Sequence, residues 1–322
     1  MDRHAVVSRL TGIYVPLPTL FVDPALEVNL SGMRRHVRFL IDAGIQTGNG
    51  VLLAGGGAGE FSTLTTGERI RIAEAVIAEA AGAIGVVVGV QHTDPREILT
   101  LCREAKQLGA VAVQIAPPFY EVPTSDDVYE FLAGVAEAVD IPQVLYTTYW
   151  TGFRLTFDLL DRLLEIPQLA AVKLASPAGR EFDEFLRRFA GRTCIIDNQL
   201  EFIKSHMLGA RAINLHPANW HPAWALQFWN LLETRQYFEA QQEMAQVVGA
   251  CYDLYGAIGK YTGGEGHLDK LCLELIGFDS SRCRPPVRDV RSLFRDQARR
   301  MLVETGVPHA EEPHERQSAR RD

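Results

Sequence analysis

A closed parallel α/β barrel, the TIM fold, is the architecture that this 322-residue sequence predicts, on three observations. Short runs rich in apolar and β-branched residues, each bounded by glycine or proline, recur eight times. These runs are apolar on both faces, as strands covered by helices on one side and packed inside a barrel on the other must be. Between them lie longer stretches apolar on one face at helical spacing, the alternation of a β/α repeat. A doubly wound open sheet would use fewer strands.

In chain order the runs are Gly12-Ile13-Tyr14-Val15-Pro16, Gly50-Val51-Leu52-Leu53-Ala54, Gly85-Val86-Val87-Val88-Gly89-Val90 and Val111-Ala112-Val113-Gln114-Ile115. Gln143-Val144-Leu145-Tyr146, Leu169 to Ala175, Cys194-Ile195-Ile196-Asp197 and Ala212-Ile213-Asn214-Leu215 complete the set. Helical periodicity covers Met33 to Ala43, Thr66 to Ala81, Pro95 to Leu108 and Asp126 to Val139. After the eighth run the alternation stops, and Ala223 to about Arg300 reads as consecutive helices interrupted near Gly256 to Gly266 and at Pro285-Pro286. The expected organisation is a catalytic barrel over 1–222, a helical subdomain over 223–305 and a disordered tail over 306–322, the tail nearly devoid of apolar residues. The arginines from Arg282 to Arg300, interspersed with Asp289 and Asp296, read as a solvated helix face.

Composition narrows the function. A net charge of -8 with no basic stripe argues against a nucleic-acid partner. No run of eighteen apolar residues occurs and Met1-Asp2-Arg3-His4 opens no signal-peptide core, so no membrane partner and a cytoplasmic location are expected. Five scattered cysteines with no C-x-x-C pair suit reduced thiols. His216 and His221 lack the nearby carboxylates of a metal site, and no metal is expected.

Against this background Lys173 stands out, a charge within the apolar run Leu169-Ala170-Ala171-Val172-Lys173-Leu174-Ala175-Ser176. A buried lysine must be paired or neutral, because desolvation disfavours the cation. A neutral amine attacks carbonyl carbon to form a Schiff base, which turns a ketone into an electron sink. The alternative is a strand lysine whose stem packs while its head snorkels to water. Tyr146 closes the preceding run. Adjacent parallel strands lie about 4.8 Å apart, so a phenol there can reach an imine on Lys173 and move protons, or simply sit at the rim. The stretch Gly55-Gly56-Gly57-Ala58-Gly59-Glu60 has neither a dinucleotide fingerprint nor a P-loop; it is either a flexible turn or a backbone cradle for a carboxylate.

Four segments in order resemble the dihydrodipicolinate synthase and N-acetylneuraminate lyase family of class I aldolases. They are Gly56 to Thr65, similar to G-[ST]-T-G-E-x-x-x-L-[ST]; Pro117-Pro118-Phe119-Tyr120-Glu121-Val122-Pro123; Leu145-Tyr146 followed by Thr151-Gly152; and Val172-Lys173-Leu174-Ala175-Ser176. The resemblance implies that Lys173 forms a Schiff base with a 2-oxo acid such as pyruvate, that Tyr146 shuttles protons, and that the Gly57–Ala58 backbone holds the substrate carboxylate. It implies no cofactor. Tyr120 matches a tyrosine that reaches a neighbouring subunit's site, which implies a homodimer or homotetramer.

Departures from the family pattern matter as much. Gly57 and Ala58 stand where relatives carry hydroxyl residues, so a threonine relay between tyrosines is missing. The segment Thr147-Thr148-Tyr149-Trp150 lacks the family's Asn-x-Pro and its carboxylate-gripping arginine, with Trp150 nearest that place. A second substrate less acidic and more apolar than aspartate semialdehyde is therefore expected. Ile213 on the eighth run, and Asn219 with His216 and Trp220 beyond it, are further candidate substrate contacts, although capping and core packing also account for Asn219 and Trp220. Three outcomes stay open: carbon–carbon bond chemistry, sugar-acid dehydration, and a ligand-binding barrel without turnover.

Overall fold

In the structure, a computed structural model that describes residues 3–308 and 310, all eight expected runs are parallel strands. They are β1 (Gly12–Pro16), β2 (Gly50–Ala54), β3 (Gly85–Gly89), β4 (Ala112–Ile115), β5 (Gln143–Thr148), β6 (Leu169–Ala175), β7 (Cys194–Asp197) and β8 (Ala212–Asn214). Each pairs with the next and β8 pairs with β1, so the sheet closes into a barrel.

Because side chains alternate across a strand, the ring makes two apolar layers. Tyr14, Val51, Leu53, Val87, Val144, Ala171 and Ile196 fill the barrel, while Ile13, Leu52, Val86, Leu145, Val172 and Ile195 face the surrounding helices. Leu10, at the end of the helix Arg3–Leu10, packs into the inner layer. The helices start where the sequence supplies caps. Thr65 and Glu68 form a capping box at the head of Thr66–Ala80, as Thr124 and Asp127 do for Ser125–Ala138.

The expected boundary after residue 222 does not hold as a division between units. Helix Pro222–Glu233 buries Ala225 and Phe228 in the same apolar layer as Val37 and Leu40, and it covers the barrel as the eighth helix of the ring. The additional helices begin at Tyr237, and their apolar residues join that same continuous core through Leu254, Leu271 and Phe294. The arginine-rich segment is solvated only in part: Arg288 and Arg300 are exposed, while Arg282, Arg284 and Arg291 are held in ion pairs. Arg282 and Arg291 pair with Asp23, and Arg284 pairs with Glu68 while its guanidinium also donates to the Leu26 carbonyl. These pairs fasten the segment leading into helix Arg291–Glu304 to the loop after β1 and to the first turn of helix Thr66–Ala80. Of the expected tail, only 306–308 and 310 lie within the described residues. No helix among the described residues is long and apolar enough to cross a membrane.

Candidate active site

Strand register sets the site. Tyr146 and Lys173 are direct Cα partners on β5 and β6, at equal height near the C-terminal rim where barrel enzymes place their reacting groups. Alternation from Ala171 puts Lys173 inside the ring. Its ammonium nitrogen lies 5.1 Å from the centre of the Tyr146 ring and 5.3 Å from that of Tyr14. Tyr14 is itself held by a hydroxyl hydrogen bond of 3.0 Å to Gln114 Oε1, which makes the floor under the lysine rigid.

No hydrogen bond or ion pair to Lys173 is found among the described residues, and it is only 6% exposed. Burial lowers its pKa to about 8, the charge of Glu265 opposing that fall. The snorkelling alternative is thereby excluded, since the amine ends in a cavity of about 350 Å³ inside the barrel mouth. For Tyr146 burial pushes the phenol pKa up, Glu265 pushes it further, and a hydrogen bond from the Trp150 indole acts the other way. Tyr146 is thus a proton donor at neutral pH.

Asn198, Gln199, Asn214, His216, Tyr252 and Tyr255 supply the remaining polar wall of this cavity. His216 Nδ1 is 2.7 Å from Asp269 Oδ2. Burial works against the charged imidazole, but the Asp269 carboxylate outweighs it and raises the His216 pKa. A second cavity of about 390 Å³ adjoins the first through Tyr146, Trp150 and Glu265. Its wall is mostly apolar: Phe61, Ala116, Pro117, Phe119 and Phe153.

The glycine loop borders the second cavity, which Gly57 lines; Ala58 lines neither cavity. Beside this loop, Arg69 holds the turn after β3, its guanidinium donating to the Gly89 and Gln91 carbonyls at 2.6 and 2.8 Å, and Gly89 lies so close to Gly55 that a Cβ on it would meet the Gly55 carbonyl. Among the described residues, the N–H groups of Gly57 and Ala58 donate to no protein acceptor, which suits a carboxylate cradle. Gly57 also makes room: a Cβ there would fall 2.7 Å from the carboxyl carbon of Glu265.

The other candidates separate clearly. Trp150 is half exposed at the junction of the two cavities, its ring edge-on to Tyr149. Tyr120, at a φ of +85° and 93% exposed, stands at the outer mouth of the second cavity, away from Lys173's cavity. Ile213 does not reach the site with its side chain, which packs in the outer layer; the next residue, Asn214, points inward instead. Asn219 lines neither cavity. It is fully buried, donating from Nδ2 to the Pro16 and His216 carbonyls at 3.1 Å, and so ties the end of β1 to the turn after β8. Sequence reasoning missed Glu265, Tyr14 and Asn214. Only Glu265 left a signal, an acidic residue within Gly263-Gly264-Glu265-Gly266.

Residues 9–305 match the model of the dihydrodipicolinate synthetase family. The chain belongs to this family. It is accordingly a lyase of the class I aldolase kind. A 4-hydroxy-tetrahydrodipicolinate synthase from Pelobacter propionicus is 31% identical over 62% of this chain and 67% of its own length. One from Methanopyrus kandleri is 27% identical over 93% of this chain and 97% of its own length. For a relative from Trichlorobacter lovleyi the aligned part is 59% of that protein's length. Among solved structures, the chloride-inhibited dihydrodipicolinate synthase from Acinetobacter baumannii complexed with pyruvate superposes with a TM-score of 0.81 at 23% identity, covering 92% of this chain and 99% of that one. Ruminococcus gnavus sialic acid aldolase gives 0.82 at 17% identity over 92% and 98%. At these identities the structural likeness is one of fold.

Proposed function

We propose that Lys173 forms an imine with the keto carbon of a 2-oxo acid, pyruvate being the simplest, and that the enzyme makes or breaks the neighbouring carbon–carbon bond with an uncharged, apolar aldehyde. The observation that carries this reading is the pairing on adjacent strands of a buried amine of lowered pKa with a phenol that keeps its proton. The amine adds to the keto carbon, water leaves, and the protonated imine draws electrons from the next carbon. The free N–H groups of Gly57 and Ala58 receive the substrate carboxylate, and Tyr146 gives and retrieves the proton of the oxygen that changes charge.

The second substrate follows from what the cavities lack. Among the described residues, Lys173, His216 and Glu265 are the only Lys, Arg, His, Asp or Glu side chains lining them, so no guanidinium there waits for a second carboxylate. Trp150 and the phenylalanine wall of the second cavity favour an apolar or aromatic aldehyde. The exposed Tyr120 at its mouth and the exposed Val122 two residues on support assembly of the chain as a homodimer or homotetramer.

Treating the protein with pyruvate and borohydride should leave a reduced adduct on Lys173, read by peptide mass spectrometry. Failure with pyruvate and with several other 2-oxo acids would overturn the imine. In a panel of aldehydes offered with pyruvate, aromatic and branched aliphatic members should turn over faster than those bearing a carboxylate. The reverse order would overturn the apolar subsite, and a product that keeps every carbon of a single sugar acid would assign dehydration instead. Replacing Tyr146 by Phe should slow turnover about a hundredfold while leaving the adduct trappable; an unchanged rate would remove Tyr146 from proton transfer.

A further inference from the structure

The C-terminal helices contribute a group to the barrel's site. Between helices Gly249–Gly259 and His267–Leu275 the chain passes through Gly263-Gly264-Glu265-Gly266 and lies directly on the loop after β2. Two glycines permit that approach. A Cβ on Gly266 would lie 2.6 Å from the Ala58 carbonyl oxygen, and one on Gly57 would meet the Glu265 carboxyl group. Glu265 bears the only carboxylate lining either cavity among the described residues, and it lines both. Half-buried, it accepts no hydrogen bond from any described residue. Its charge is felt by Lys173, Tyr146, His216, Tyr252 and Tyr255, which line the same cavity, and by Asp269 behind His216.

An imine alone makes no carbon–carbon bond. The carbon beside it must first lose a proton: the C–H pair becomes the C=C bond of an enamine, the C=N π pair moves onto nitrogen, and a base takes the proton. The groups around Lys173 differ in their fitness for this. Lys173 is consumed in the imine. Tyr146 holds its proton, and His216 is bound to Asp269, which favours its charged form. Among the described residues, Glu265 is the only carboxylate facing the cavity, and so the only group there that carries the basicity to take a proton from carbon.

We propose that Glu265 is the base that takes the proton from the carbon adjacent to the Lys173 imine, and the acid that returns it when the enamine collapses in the cleavage direction. This rests on the imine reading above and goes beyond it by naming the proton acceptor. A substrate carboxylate cradled by Gly57 and Ala58 would lie beside that of Glu265, which places the carbon next to the imine within reach of Glu265. The proton Glu265 gives back in the cleavage direction is the one it takes when the enamine forms. Gly57 and Glu265 thus act as a pair, the missing side chain at one position making space for the carboxylate from the other.

The test separates imine from enamine. In D₂O, exchange of the pyruvate methyl protons followed by NMR reports enamine formation, while borohydride trapping on Lys173 reports the imine. Glu265→Gln should keep trapping within about threefold of the unaltered protein and slow exchange on the order of a hundredfold. Removing the carboxylate charge also frees Lys173 from the influence that raises its pKa, so the pH at which trapping sets in should move downward, a shift that loss of packing alone would not produce. Glu265→Asp should restore part of the exchange. Gly57→Ala, which pushes the carboxylate from its place, should reproduce the exchange defect in a chain that keeps Glu265. Exchange that stays at the parental rate, or that falls only in step with trapping, overturns the assignment. Absence of any adduct in the unaltered protein overturns the imine reading itself, and this assignment with it.

Discussion

Lys173→Met is expected to abolish the borohydride-trapped adduct and to lower turnover on the order of ten-thousand-fold, while leaving the protein folded. The size of the effect follows from burial. With a pKa of about 8 rather than the ordinary 10.5, roughly 10% of the amine is neutral at pH 7, about 300-fold more than for an exposed lysine. Trapping by the unaltered protein should rise about tenfold per pH unit up to about pH 8 and then level off. A rate still climbing at pH 10 would mean that the reacting amine is not a buried one. The same burial has a thermodynamic side. The folded pKa lies below the unfolded one, so between about pH 8 and 10.5 the unfolded chain holds more protons, and stability rises with pH across that window. Below about pH 8 the whole cost, about 3 kcal/mol, is present. Methionine fills similar space without the charge, so Lys173→Met should melt at or above the parental temperature, and a clear fall in Tm would contradict this account.

Lys270→Met carries the largest expected loss of stability. Lys270 and Glu60 form an ion pair with both side chains buried, the lysine on the C-terminal helices and the glutamate at the end of the glycine loop. Lys270 also lies 4.2 Å from the centre of the Phe21 ring, and the second oxygen of Glu60 accepts the Arg284 N–H at 2.8 Å. Removing the lysine strands a buried carboxylate, which costs about 3–5 kcal/mol. For a chain of this size that is a fall in Tm on the order of 10 °C by calorimetry. Glu60→Gln combined with Lys270→Met should recover part of the loss, because the orphaned charge is gone. Arg38, whose pair with Glu79 is half exposed, should cost less than about 1 kcal/mol when replaced by Ala. Equal losses at the two positions would show that burial does not govern the Lys270 pair.

The strands were legible because a run buried on both faces leaves an unbroken apolar stretch between glycines, as Gly85-Val86-Val87-Val88-Gly89 does. Lys173 and Tyr146 were legible for a related reason: each is a polar intruder close to the end of such a run, and the ends of barrel strands share one rim. That same uniformity hid the phase of β8. When both faces are apolar nothing in the sequence says which of Ile213 and Asn214 points inward, and a one-residue error reverses every side chain. Asn219 was misread because a polar residue among aromatics fits a substrate contact as well as it fits a backbone clamp. Arg282, Arg284 and Arg291 looked solvated since their partners, Asp23 and Glu68, lie far away along the chain. Glu265 was hidden by the same distance. Its role depends on a loop more than half the sequence earlier, and periodicity carries no information on such contacts.

The close fit between Gly57 and Glu265 restricts how descendants of this protein can change. A hydroxyl residue at position 57 overlaps the carboxylate unless Glu265 has already been shortened, and a shortened Glu265 facing Gly57 leaves the pocket without either group. Mutational paths toward a hydroxyl-bearing loop therefore have a preferred order and cross a poorly active intermediate. Lineages on either side of that step are separated by epistasis between two chain segments rather than by the fold they share.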